Sequence, residues 1–205
     1  MTSDLDRFVS AVLAEMEVRL DRVRAGVDIG FADATASRLF RESRGGVWMT
    51  VEEGVAAQRR TAALLDPKTV LQLGMNGELP FEDNQFGVAL LSRAIVSGDR
   101  SRVAALVRET HRVLQGGGCL IFAVDEASSS GGDFTQRSVY ELLRDGFDVV
   151  GLRRPPWWKF GFGGRVMTVC ARRKNWRNRG TPIVGAAMPV SSAMLSPRER
   201  RKVVS

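Results

Sequence analysis

Two carboxylates and a glycine turn are the groups in this chain whose types and spacing could do chemistry. Residues 26–34, GVDIGFADA, are an apolar run that reaches Gly30 and passes at once into the helical stretch Thr35–Ser43. A strand that turns directly into a helix brings backbone N–H groups against a ligand. Glu52, 22 residues after Gly30, and Glu53 close a second apolar run. In dinucleotide and adenosine sites a carboxylate at that place accepts hydrogen bonds from the ribose hydroxyls. Glu52 is the better placed of the two and Glu53 the alternate. No nucleophile and base accompany them. His111 is the only histidine, near the end of a helix and on the side remote from the strand C-termini, where a structural or helix-terminal role is expected. Cys119 and Cys170 fall inside expected strands and read as small buried hydrophobes in a reducing compartment, without metal-ligand spacing.

The elements that must position these groups alternate apolar runs with amphipathic helices. Asp4–Val23 places Leu5, Phe8, Val9, Val12, Leu13, Met16, Leu20 and Val23 on one helical face. Gly45–Glu53 is the second strand, Val55–Leu65 a helix broken at Asp66-Pro67, and Val70–Leu73 the third strand. Phe86–Leu91 follows the turn-rich Pro80–Asn84. Ser101–Leu114 carries Val103, Leu106, Val107, Thr110, Val113 and Leu114 at helical spacing, and Gly116–Gly118 is expected to cap it before the strand Cys119–Val124. A flexible polar loop, 125–133, leads to a helix over Phe134–Leu143, a strand over Phe147–Leu152 and a last strand over Arg165–Ala171. Short apolar strands joined through helices indicate a parallel sheet covered on its faces.

Two stretches carry a family resemblance. GELPFEDNQFGVALLS, residues 77–92, is similar to the segment between the third and fourth strands of class I S-adenosylmethionine-dependent methyltransferases, in their type 11-like form. RETHRVLQGGGCLIFAV, residues 108–124, resembles the helix, glycine turn and fifth strand that follow there. The resemblance covers residues 24–172. It implies an α/β fold with a Rossmann-like seven-stranded, mostly parallel sheet, the last strand antiparallel, and helices on both faces. It also implies S-adenosylmethionine as cofactor. Asp28 and Gly30 match the first cofactor motif, while Ala32 and Ala34 stand where further glycines are usual, and alanine resists the positive φ that glycine accepts. Glu52 takes the ribose position. Met75 stands where an acid commonly meets the adenine amino group, with the Asn76 carbonyl as the neighbouring acceptor, and Gly87 replaces a common aspartate. Ser92, at the end of the fourth strand, lines the methyl-transfer site or simply caps the strand. No catalytic residue is assigned, because methyl transfer needs chiefly positioning.

The loop 155–164, PPWWKFGFGG, follows the sixth strand. If that strand is parallel, the loop starts on the cofactor side, and Trp157, Trp158 and Phe160 form an apolar substrate wall, a lid or a membrane- or partner-facing patch. The alternative is that the tryptophans cover the sheet edge. Two functions therefore stay open: a methyltransferase acting on a small or lipid-like acceptor, and an inactive methyltransferase-like binding or scaffold subunit. A nicotinamide-binding Rossmann domain ranks below both.

Composition bounds the rest. The chain of 205 residues is 44% hydrophobic, ordinary for one globular domain. Residues 1–23 are expected to be an N-terminal helix, 24–174 the main domain and 175–205 a basic, mostly disordered tail. Of the net charge of +7, residues 171–205 hold nine Arg and Lys against one Glu, so the remainder is close to neutral. Such a tail suits nucleic acid, anionic lipid or an acidic protein. No apolar run is long enough for a transmembrane segment, the N-terminus lacks a secretory pattern, and a cytoplasmic location is expected.

Overall fold

The computed structural model describes residues 25–30, 46–91, 100–125, 134–153 and 166–175, which build a seven-stranded sheet with helices packed against it. The chain divides into two units, Met1–Lys174 and Asn175–Ser205. The sheet belongs to the first. The expected helices over Asp4–Val23 and Thr35–Ser43 lie outside the described residues, as does the tail beyond Asn175.

The strands are β1 (Ala25–Ile29), β2 (Val47–Glu52), β3 (Val70–Gln72), β4 (Phe86–Leu91), β5 (Leu114–Asp125), β6 (Phe147–Arg153) and β7 (Val166–Arg173). Their order is β3-β2-β1-β4-β5-β7-β6. The pairs from β3 to β5 are all parallel. β7 inserts between β5 and β6 and runs antiparallel to both, so β6 points the same way as the other five. The expected sheet, with its antiparallel last strand, is the one observed. Its central strands are apolar on both faces: Val27, Ile29, Val51, Val88, Ala89 and Leu120 are fully buried. That pattern is what a sheet covered on both sides requires. Gly26 of β1 sits opposite Trp48 of β2 and leaves room for the indole ring, from which a Cβ would stand 2.6 Å.

Three helices cover the described part: α1 (Val55–Ala62), α2 (Arg100–Val113) and α3 (Gln136–Leu143). Right-handed crossovers that step from β2 to β3 in one direction and from β4 to β5 in the other place α1 on one face and α2 on the opposite one. The inward side of α2 is Val103, Leu106, Val107, Thr110 and Val113, as its helical spacing predicts. α3 begins two residues later than Phe134 because Thr135 caps it: the Thr135 hydroxyl accepts from Ser138 N–H at 3.1 Å, and Thr135 N–H donates to the Ser138 hydroxyl at 2.9 Å.

The end of α2 differs from the expected glycine cap. The helix stops at Val113, and Leu114 already pairs with Phe86 in the sheet. The carbonyls of Arg112 and Val113 accept from the backbone N–H groups of Asn84 and Gln85, at 3.0 and 2.7 Å. The cap therefore comes from a segment about thirty residues earlier. The glycines have another task. Between Leu114 and Cys119 the β5 strand bulges before rejoining β4, with Gly117 at φ 82° and Gly118 against the Gly87 carbonyl. A Cβ on Gly118 would stand 3.0 Å from that oxygen.

One side chain joins the two resembling stretches. Arg112 donates to the carbonyls of Phe81 and Leu79 at 2.8 and 3.0 Å, to Asp83 at 2.9 Å, and to both oxygens of Glu109 at 3.0 and 2.8 Å. Glu109 in turn accepts from Leu79 N–H at 2.9 Å. The Arg112 hydrogen bond holds the Glu109 carboxyl below its usual 4.5, and burial opposes this only in part. A carboxyl with a lowered folded pKa adds stability above its unfolded value and loses it as pH falls through the folded one. Arg112→Gln should thus cost about 2–3 kcal/mol at neutral pH, the scale of hydrogen bonds to charged groups. The deficit should shrink below the usual carboxylate range. Urea unfolding across pH checks this, and an equal deficit in acid would contradict it.

Candidate functional site

The strand order reverses between β1 and β4, since β1 continues to β2 on one side while β4 continues to β5 on the other. Ligands of open α/β sheets bind at the carboxyl ends of strands beside such a reversal. Sequence places Asp28 and Gly30 at the end of β1, Glu52 at the end of β2 and Ser92 just past β4. Gly30 adopts φ 74°, and its N–H donates to the Val51 carbonyl at 2.8 Å. This bond ties the turn after β1 to β2, and the left-handed conformation is one that glycine reaches without strain. Asp28 is buried within the strand, level with Thr50 of β2 and Leu90 of β4.

Glu52 is also buried, and its direction could not be read from spacing. The Thr61 hydroxyl, from α1, donates to Glu52 Oε1 at 2.6 Å. α1 packs on β2 and β3, so the bond draws the carboxylate toward the helix–sheet interface. Thr61 is the functional neighbour that sequence reasoning missed. Its signal was the single hydroxyl of the stretch VAAQRRTA, and it is the buried residue of that helix. Glu53 points elsewhere: its Oε2 accepts from the Arg102 guanidinium in the first turn of α2.

Met75 and Asn76 belong to a turn after β3 that Gly74 closes, donating to the Glu78 carbonyl at 3.0 Å, while Gly77 N–H donates to the Gly74 carbonyl at 2.9 Å. The Met75 side chain is fully exposed. Ala32, Ser92, Trp157, Trp158 and Phe160 lie outside the described residues. The ends of their loop are described, however. β6 finishes and β7 starts at the same edge as the carboxyl ends of β1 and β4, which is where the loop over 154–165 begins and returns.

His111 sits at the opposite end. Its ring stacks edge-on against Phe147 at 5.4 Å between centroids and fills the space beside Gly146, where a Cβ would approach within 2.6 Å. Arg173 Nε donates to His111 Nε2 at 3.4 Å. Burial, then the Arg173 charge, pushes the imidazole below its usual 6.5. It is a packing residue of the α2–β6 contact. Among the described residues no group of His, Cys, Asp and Glu side chains is placed to share a metal ion, and no helix is long and apolar enough to cross a membrane.

No protein-family model matches the sequence, and no curated protein is similar to it. Solved structures are similar in fold. A Burkholderia thailandensis 1,6-didemethyltoxoflavin-N1-methyltransferase, holding 1,6-didemethyltoxoflavin and S-adenosylhomocysteine, superposes with a TM-score of 0.61 at 20% identity over 83% of this chain and 80% of that one. The [4+2]-cyclase SpnF gives 0.61 at 15% identity, over 82% and 80%. A Haloferax volcanii protein assigned as a methyltransferase, solved with the Trm112 methyltransferase activator, gives 0.56 at 18% identity, over 84% and 98%. The fold is the Rossmann-like fold of class I S-adenosylmethionine-dependent methyltransferases.

Removing the Thr61 hydroxyl leaves a buried carboxylate short of a donor. Thr61→Val, nearly equal in shape, should destabilise the protein by about 1–3 kcal/mol. For a domain of this size that lowers the thermal midpoint by about 2–4 °C per kcal/mol, which calorimetry measures directly.

Proposed function

We propose that the chain is an S-adenosylmethionine-dependent methyltransferase acting on a small or lipid-like acceptor. The observation that carries this reading is the left-handed Gly30 turn beside two buried carboxylates, at the point where the strand order reverses. Asp28, Gly30, Ala32, Glu52, Met75, Asn76 and Ser92 are the residues that would hold the cofactor, and Trp157, Trp158 and Phe160 those that would meet the acceptor. When bound, such a cofactor supplies a methyl group activated on a sulfonium centre.

The donor set fits in part. A carboxylate offers about four lone-pair positions, so the bond from Thr61 does not exhaust Glu52 as an acceptor for ribose hydroxyls. The exposed Met75 has surface to lay against an adenine ring. Gly30 carries no side chain to bar close backbone approach. The chain's own work is then to bind and orient, and methyl transfer between aligned groups draws most of its rate from that. The similar N1-methyltransferase holds 1,6-didemethyltoxoflavin beside S-adenosylhomocysteine, which supports a small acceptor here. A cytoplasmic location is part of the same proposal. So is contact of the basic tail, 175–205, with an acidic protein, anionic lipid or nucleic acid.

The second reading, an inactive binding or scaffold subunit, is favoured by Glu52 being drawn onto Thr61 and by the full exposure of Met75. SpnF, a cyclase, illustrates that the fold does not dictate the reaction. Calorimetric titration with S-adenosylmethionine and S-adenosylhomocysteine separates the two. Binding is expected, and Glu52→Gln should weaken it about tenfold or more, the loss of one charge-assisted hydrogen bond. No heat at high micromolar ligand would sink the enzyme reading.

A further inference from the structure

We propose that Glu53 and Arg102 form an electrostatic strap across the ligand crevice, which a ligand lying over the end of β1 must part. The inference rests on the cofactor reading above and adds to it a control on access. Glu53 follows the last residue of β2, and Arg102 is the third residue of α2, which the chain enters after β4. β2 and β4 flank β1 on its two sides. α2 leads directly into β5, beyond β4, whereas Glu53 follows β2, so the ion pair joins elements from the two sides of β1. Gly30 turns at the carboxyl end of β1.

The first turn of α2 explains why the pair forms. It holds Arg100 and Arg102 and no acid, so two cations stand at the positive end of a helix. A cation there is disfavoured by the helix dipole and gains most from a nearby anion. Arg100 is stacked over the Phe134 ring, with its guanidinium 5.6 Å from the centroid. Arg102 pairs instead with Glu53. At this strand end Glu52 accepts from Thr61, while Glu53 pairs with Arg102. The Arg102 and Glu53 side chains are 39% and 55% exposed, so water and salt reach the pair and the strap is weak enough to open.

Calorimetry of the full chain with S-adenosylhomocysteine, at low and high salt, tests the strap. For the native chain the dissociation constant should fall as salt rises, because screening loosens the pair. Arg102→Gln should bind about two- to fivefold tighter at low salt, the worth of an exposed ion pair, and lose the salt response. Circular dichroism confirms that this exposed substitution leaves the fold intact. Equal or weaker binding by Arg102→Gln, with the salt response kept, overturns the strap and leaves the cofactor reading standing. No heat from either protein at either salt removes the cofactor reading and the strap with it.

Discussion

Arg112 is the residue through which distant parts of this fold are held in register. Its guanidinium occupies two carbonyls and a carboxylate of the segment 79–83, while Glu109, one turn earlier, takes the Leu79 N–H. The same segment returns the contact by capping α2, since Asn84 and Gln85 donate to the last helical carbonyls. Helix termini leave carbonyls without partners, and a planar, five-donor cation suits a cluster of carbonyls and carboxylates. The chain therefore reaches β4 in a fixed position relative to α2 and β5. The pairing of the LPF stretch with the HRVL stretch is, in physical terms, this one knot.

Much of the sheet was legible because its strands are short apolar runs between polar turns. The seventh strand was also expected to be antiparallel, and it is. What periodicity could not supply was anything decided by a partner far along the chain. The glycines after α2 look like a helix cap, yet the cap is provided by Asn84 and Gln85, and Gly117 and Gly118 serve the bulge that re-aligns β5 with β4. Local chemistry named the correct residue types and assigned them to the wrong neighbour.

The same limit governs the candidate site. Spacing put Glu52 at a strand end, a backbone property. Whether its carboxylate looks into the crevice or onto α1 is a side-chain choice, and Thr61 makes it. Gly30 was legible for the opposite reason, because the positive φ of its turn is a backbone conformation that glycine reaches without strain. Asp28 lies between: its place in β1 follows from the alternation, and its burial follows from two flanking strands that no local window reveals. The parts of the site closest to backbone geometry are those that sequence describes best.

The position of β7 has a consequence for how the protein comes into being. β6 touches the rest of the sheet only through β7, which is made after it. During synthesis β6 must wait, unpaired, until residues 166–173 have emerged, and until then β5 presents an open edge. An exposed edge strand invites pairing with other chains. The interval before β7 pairs with β5 is when a nascent chain most needs protection from its neighbours.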